Sequence, residues 1–350
     1  TLEKARFVFI VYVTIFFFFF FFFFVASQYK RIAINDTNTY KKKKLQRVWC
    51  YKWTQGNNDY VWGPDIEEWI DKSFSLYIQS IIDEEDKDTL CCMLDNFNSE
   101  LKMLGPKAVE THMEGLMSAI CNFYNEKTSC HANSDIENED TKDVETKHKF
   151  VTDMVAETLA VLAELWGAKF VPYFEKVYPS ILEWAKPNRN SHDQSMAIGC
   201  IADVAIRLAG AGEGLMTRFA STTYETALRI ARSQDSNSRQ NALYCIGALF
   251  LTCNQEANMS NSQICLRCIT NYMQLPRDGS QEDQITRDNA VSTLGKMLMA
   301  ESDSLPCDKL LPTFFQALPL TADFSEYYWI FKTIIHFLTK EKEKVCLFQN

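Results

Sequence analysis

Three stretches of this chain share one pattern: Gln194-Ser-Met-Ala-Ile-Gly-Cys-Ile-Ala202, Arg239-Gln-Asn-Ala-Leu-Tyr-Cys-Ile-Gly247 and Arg287-Asp-Asn-Ala-Val-Ser-Thr-Leu-Gly295. They begin 45 and 48 residues apart, a period that belongs to stacked helical hairpins. Each opens a helix with the same apolar stripe. In the first, Ala197, Cys200, Ile201, Val204, Ala205 and Leu208 recur at helical spacing; Ala242, Cys245, Ile246, Leu249, Phe250 and Cys253 repeat it in the second. Ala290, Leu294, Met297 and Leu298 keep most of it in the third. Such a stripe buries one face and leaves the other wet. A hairpin of this kind cannot bury its apolar face alone, so the units must stack, and a chain of 350 residues need not divide into compact domains.

A partner helix precedes each stretch. Residues 169–186 carry Pro172 in the first turn, Pro187 after the end, and Pro179 inside, where a lost backbone bond should bend the helix. Residues 213–233 end before Asp235, and 259–275 stop at Pro276. Further pairs fit at 65–83 with 86–104, 106–127 with 148–166, and 305–318 with 322–338. The small residues Ala197, Ala242, Ala290, Gly247 and Gly295 let neighbouring helices approach closely. The expected fold is all-α: a HEAT-repeat α-solenoid of about six antiparallel hairpins over residues 62–345, with a tail at 346–350. Scarce glycine (12) and proline (9), and little alternation at period two, agree with helix throughout. The twelve cysteines lie inside apolar helical stretches, the usage of a reduced compartment, so a disulfide framework is not expected.

Residues 1–61 do not share this pattern. They hold nine consecutive Phe, Phe16 to Phe24, and the run Lys41 to Lys44, and the chain starts without Met. The apolar stretch Phe7 to Ala26 is long enough to span a bilayer, but homopolymeric Phe is unlike a spanning helix. The extension reads as artefactual or unstructured, with a membrane anchor as the alternative, and the chain as a fragment.

Charge divides at the same place. Residues 1–61 carry ten Lys/Arg against three Asp/Glu, whereas 62–350 carry 26 against 42, or −16. An acidic body repels phosphate backbones and attracts basic proteins, so nucleic acid is not expected as a direct partner. Residues 129–147 form the most acidic stretch, with Asp135, Glu137, Glu139, Asp140, Asp143 and Glu145 and almost nothing apolar. They read as a mobile loop between two helices, either a solvated insertion or an electrostatic hook for Lys/Arg-rich partners.

No constellation suggests chemistry, cofactor or metal. Cys265-Leu-Arg-Cys268 has half-zinc-site spacing but no second pair, so core packing is expected. Gly210-Ala-Gly-Glu-Gly214 lacks the Lys of a phosphate loop and follows a helix, so it reads as a turn between repeats. The five histidines form no HExxH and face no evident nucleophile. Asp193, Asp235 and Asp288 lie near the starts of second helices; the first two are expected to cap or complement helix dipoles. With Arg239, Asn241, Arg287 and Asn289, Asp193 and Asp235 are candidates for tying adjacent repeats together.

The run Phe170-Val-Pro-Tyr-Phe-Glu-Lys-Val-Tyr-Pro179, the stretch Ser195 to Ala202, Arg287-Asp-Asn-Ala290, and Ala317-Leu-Pro-Leu-Thr-Ala-Asp323 with Glu326 together resemble the importin beta superfamily. The likeness covers about residues 62–345 and is greatest to its importin-four branch, with the importin-five type next. It implies a nuclear import receptor, not an enzyme, shuttling between cytoplasm and nucleus. Such receptors hold basic cargo such as ribosomal proteins and histones on second helices and bind Phe-Gly nucleoporins by outer helices. Ran-GTP releases the cargo, and its main site lies in N-terminal repeats outside the resembling region, which matches the C-terminal third. The competing expectation is a HEAT-repeat scaffold or regulatory subunit, membrane-tethered through the Phe-rich segment.

Overall fold

In a computed structural model of the chain, residues 64–132 and 141–341 are described. The chain divides into Thr1–Trp62 and Gly63–Asn350. The Phe- and Lys-rich extension and the tail at 346–350 thus lie outside the described residues.

The described part of the second unit is built from twelve long helices in six successive pairs, with no strand among the described residues. The first helices of the pairs are α1 (Pro64–Asp83), α3 (Met113–Tyr124), α5 (Val171–Trp184), α7 (Ala220–Ile230), α9 (Gln255–Met273) and α11 (Cys307–Gln316). The second helices are α2 (Lys87–Leu104), α4 (Thr141–Trp166), α6 (Ser191–Leu208), α8 (Ser236–Thr252), α10 (Gln281–Ala300) and α12 (Tyr327–Thr339). The second helices form an unbroken row, each packed on the next from α2 to α12. This is the HEAT-type solenoid expected from the repeat.

Local sequence accounts for the helix starts. Asp86, Asn190, Asp235, Asn254 and Ser280 are N-caps of α2, α6, α8, α9 and α10, each side chain accepting a backbone N–H in the first turn. One such cap contributes about 1 kcal/mol. Pro172 sits in the first turn of α5, where its missing N–H costs nothing, and Pro179 lies inside a helix that runs on through it.

Every residue of the three apolar stripes is buried. A fully buried Val, Leu or Ile contributes roughly 1.5–3 kcal/mol, so the stripes supply the main adhesion between layers. Buried Cys200 and Cys245 pack there as small hydrophobes, as Cys265 does on α9. Two glycines set the closeness of the second-helix row. A Cβ at Gly247 would come within 2.7 Å of Lys296 Cδ, and one at Gly295 within 2.6 Å of Thr333 Oγ1.

Residues 129–147 depart from the expected loop. Ser129–Ala132 form a helical turn with Cys130 buried, and α4 begins at Thr141 instead of 148. The physical reason lies in residues 128–132 themselves, where Thr128 Oγ1 meets His131 Nδ1 at 2.8 Å and the His131 ring packs 4.9 Å from Phe123. Only 133–140 fall between described elements.

Candidate functional site

The second-helix row presents two grooves on its free face. The first, of about 420 Å³, is lined by α2, α4, α6 and α8. Its carboxylates are Asp95, Asp153, Glu157 and Asp203, faced by one lysine, Lys102. Lys102 Nζ lies 2.6 Å from Glu157, which leaves three carboxylates without a cation partner in the groove. Gly199, Met196 and Cys200 give it a partly apolar floor.

Helix periodicity explains how these acids converge. Asp153 and Glu157 are four residues apart on α4, as are Gly199 and Asp203 on α6, so each pair occupies one side of its helix. Burial pushes the Asp203 carboxyl up to about 6; the Tyr244 hydroxyl, which donates to it, opposes the shift, while Glu157 and Asp153 add to it. Asp153 is raised too, mainly by burial, against Lys149 and His192. Tyr244 is pushed up chiefly by burial and then by the Asp203 charge. The groove gathers carboxylates, two of them partly desolvated, and is suited to a guest that brings positive charge.

The second groove, of about 360 Å³, lies between α8, α10 and the turn leading into α12. Asn241 and Tyr244 line both grooves. Its own acids are Asp323 and Glu326, with Trp329 beside them. Under the floor runs Lys296, fully buried, with Nζ 2.6 Å from Glu326 Oε2 and 3.0 Å from Ser292 Oγ. Burial pushes the Lys296 ammonium below its ordinary range and the Glu326 charge opposes this.

The residues expected to stabilise repeats take varied positions. Asp235 is the N-cap of α8. Asp193 is in the first turn of α6, where the cap is Asn190, and its carboxylate lies 3.7 Å from Arg189. Arg239 donates to the Ser233 and Gln234 carbonyls in the turn between the two helices of its own hairpin, and its guanidinium lies 3.9 Å from Asp283 of the next hairpin. Asn241 crosses to α6, donating to the Ser195 carbonyl and hydroxyl at 3.1 and 3.0 Å. Arg287 donates to the Ala317 carbonyl, and Asn289 to Asp323 at 2.8 Å. Asp288, fully buried, accepts the backbone N–H groups of Thr321, Ala322 and Asp323 and so fixes the turn entering α12.

The acidic candidates are not assembled into a described site. Asp135, Glu137, Glu139 and Asp140 lie outside the described residues. Asp143 and Glu145 belong to the first turns of α4, not to a loop, because that helix starts earlier than its apolar stripe. Cys265 is buried and its thiol is pushed up by burial, while Gly210 and Gly214 have left-handed φ in the turn after α6. His148 packs 6.4 Å from Phe123 and 5.8 Å from Trp184, with its pKa pushed down to about 4, mainly by burial. Among the described residues no cluster of three metal-ligating side chains occurs, and no described helix is long and apolar enough to cross a membrane.

Sequence reasoning missed Asp95, Asp153, Glu157, Asp203 and Lys296. The i,i+4 acids Asp153 and Glu157 on one side of α4 were a usable signal for that pair, whereas Asp95 and Asp203 have no acid four residues away. For Lys296 nothing in the sequence marks a buried position, since the polar residues around it read as a wet face.

No protein-family profile matches the chain. It is 24% identical over 216 residues to the probable importin subunit beta-4 of Schizosaccharomyces pombe, covering 61% of this chain and 19% of that protein. Over 278 residues it is 24% identical to Importin-4 of Mus musculus, covering 78% of this chain and 24% of that protein. The chain therefore spans about a fifth to a quarter of the length of these relatives. Among solved structures it is similar to the karyopherin Kap121p, with TM-score 0.61 at 16% identity over 79% of this chain and 25% of that one. Kap121p bound to RanGTP gives TM-score 0.60 at 16% identity, over 80% of this chain and 26% of that one. The structural likeness shows the karyopherin HEAT-repeat fold. By sequence this chain is similar to importin-4 and importin subunit beta-4, and by structure it has the karyopherin HEAT-repeat fold.

Proposed function

We propose that this chain is the cargo-holding, C-terminal part of a nuclear import receptor and that the first groove takes a basic segment of the cargo. The observation that carries this is the charge imbalance of that groove: Asp95, Asp153, Glu157 and Asp203 against Lys102 alone. An ammonium or guanidinium group entering it satisfies carboxylates that burial has made costly, so attraction and desolvation act together. The surrounding acidity, −16 over residues 62–350, steers a positive partner toward the face.

Kap121p has been solved bound to the extreme C-terminus of Cdc14p, to Nup53p and to RanGTP. By analogy, the complete receptor carries basic proteins such as ribosomal proteins or histones through the pore, touches Phe-Gly nucleoporins, releases cargo to Ran-GTP and shuttles between cytoplasm and nucleus. It acts by binding, without a catalytic step.

The test uses the full chain and a fluorescent Lys/Arg-rich peptide with the charge pattern of a histone tail. Asp153→Asn, Glu157→Gln and Asp203→Asn together should weaken binding at least about tenfold at low salt, roughly 1.4 kcal/mol. Raising salt from 0.1 to 1 M shrinks the Debye length from about 10 to about 3 Å and should erase most of the difference. Equal affinity of both proteins at low salt rejects the first groove as the site.

A further inference from the structure

The cation receptors of the second groove are already engaged. Asp323 accepts the Asn289 amide at 2.8 Å and the Ser325 backbone N–H at 3.2 Å. Glu326 accepts the Lys296 ammonium at 2.6 Å and the Ser292 hydroxyl. Lys296 Nζ also lies 5.0 Å from the Tyr244 ring centre and 5.3 Å from that of Trp329. Lys332 Nζ approaches Trp329 at 4.8 Å. These are distances at which an ammonium gains from an aromatic face, and the gain grows when water is excluded. A further ammonium over the same rings would meet Lys296 at short range in a poorly screened interior. The position of Lys296 is enforced by packing, since its stem passes the Cα of Gly247, where a Cβ would lie 2.7 Å from Cδ.

We infer that Lys296 makes the second groove a neutral subsite: it fills the cation position from beneath, so a partner held by its basic residues in the first groove crosses the second with an uncharged side chain. This rests on the proposed use of the first groove and adds the charge pattern of the partner. Tyr244 and Asn241 border both grooves, so an extended segment leaving one enters the other directly. Glu326, the acid of the second groove that Lys296 neutralises, therefore does not count toward recognition of a basic partner.

Two measurements on the full chain decide it. The first needs no peptide: tetramethylammonium chloride is titrated while the Trp329 indole N–H resonance, assigned through Trp329→Phe, is followed. The wild-type resonance should stay in place, and that of Lys296→Met should move saturably. Saturable movement in the wild type, or none in folded Lys296→Met, overturns the inference. If circular dichroism shows that Lys296→Met does not fold, Lys296→Gln takes its place with the same two outcomes, because its amide still donates to Glu326. The second measurement compares two peptides sharing one basic block and differing in flanking residues, Lys in one and Gln in the other. The Lys-to-Gln affinity ratio should rise about tenfold from wild type to Lys296→Met, and an unchanged ratio overturns the charge pattern. If neither peptide binds the wild type, the reading of the first groove fails, and the tetramethylammonium titration still decides whether Lys296 fills a cation position.

Discussion

The two grooves on the second-helix row use the same residue types to opposite ends. In the first, Asp203 is half-buried near like charges, with the Tyr244 hydroxyl and Arg207 as its relief. In the second, Glu326 is buried against a hydroxyl and an ammonium, and that ammonium in turn lies against two rings. A carboxylate surrounded by carboxylates stores unfavourable energy that an incoming cation relieves. A carboxylate closed by its own lysine is a structural tie. Acidity alone thus does not mark a binding surface; what matters is whether the fold has already supplied the counter-charge.

Substitutions should separate the two grooves by the sign of their effect on stability. Glu326→Ala should have the largest effect. It leaves the Lys296 ammonium buried without its carboxylate, a change that costs about 3–5 kcal/mol, measurable by urea unfolding. A loss below about 1 kcal/mol would show that the pair is not the tie between α10 and α12.

Asp203→Asn should act in the opposite direction. A carboxyl whose folded pKa is about 6 holds its proton longer folded than unfolded, where the value is 3.8, so folding loses stability as pH rises between these values. The Asn variant should be about 1–2 kcal/mol more stable than wild type at pH 7, after discount for partial exposure, with the gain gone below pH 4. Stability curves that run parallel from pH 4 to 7 would remove the argument that the first groove is electrostatically strained.

Asp235→Ala, distant in chemistry from either groove, provides a control of about 1 kcal/mol, the ordinary value of a lost N-cap on α8. It should lower the melting temperature and leave peptide affinity unchanged. Altered affinity would mean that the row responds as one body and that groove effects cannot be read locally.

The smallest effect concerns the acidic stretch. Replacing Asp135, Glu137, Glu139, Asp140, Asp143 and Glu145 together by Ser or Asn should slow association of a basic peptide a few-fold at low salt and leave dissociation nearly unchanged. Surface plasmon resonance at two salt concentrations reads both rates. An unchanged association rate reduces the stretch to a solvated insertion and leaves the first groove as the sole acidic recognition element.

Much of the architecture was legible because repetition speaks through spacing. The motifs at Gln194, Arg239 and Arg287 mark second helices, and the stripes from Ala197 to Leu208 and Ala242 to Cys253 are buried as their periodicity requires. Caps such as Asp235 are short-range devices, set by one side chain and the N–H three residues on. The start of α4 was misplaced because its first turns carry polar residues and no stripe.

What the sequence by itself determined is therefore the local and periodic part: which segments are helical, where most of them begin, which face of each is apolar, and that the units must stack. Tertiary structure alone decided the fate of polar residues. From Thr286 to Leu298 every residue of α10 is buried, including Arg287, Asp288, Asn289 and Lys296, because the helix is enclosed by α8, α9, α11 and α12. The alternation of polar and apolar residues there looks amphipathic in one dimension, yet the polar side meets partners supplied by residues some 30 positions away. The same holds for Asp153 and Asp203, which lie 50 residues apart in sequence and share one groove. Hydrophobic periodicity reports how one helix meets solvent on average. Electrostatic pairing depends on which helix stands beside it, and that is settled only when the hairpins stack.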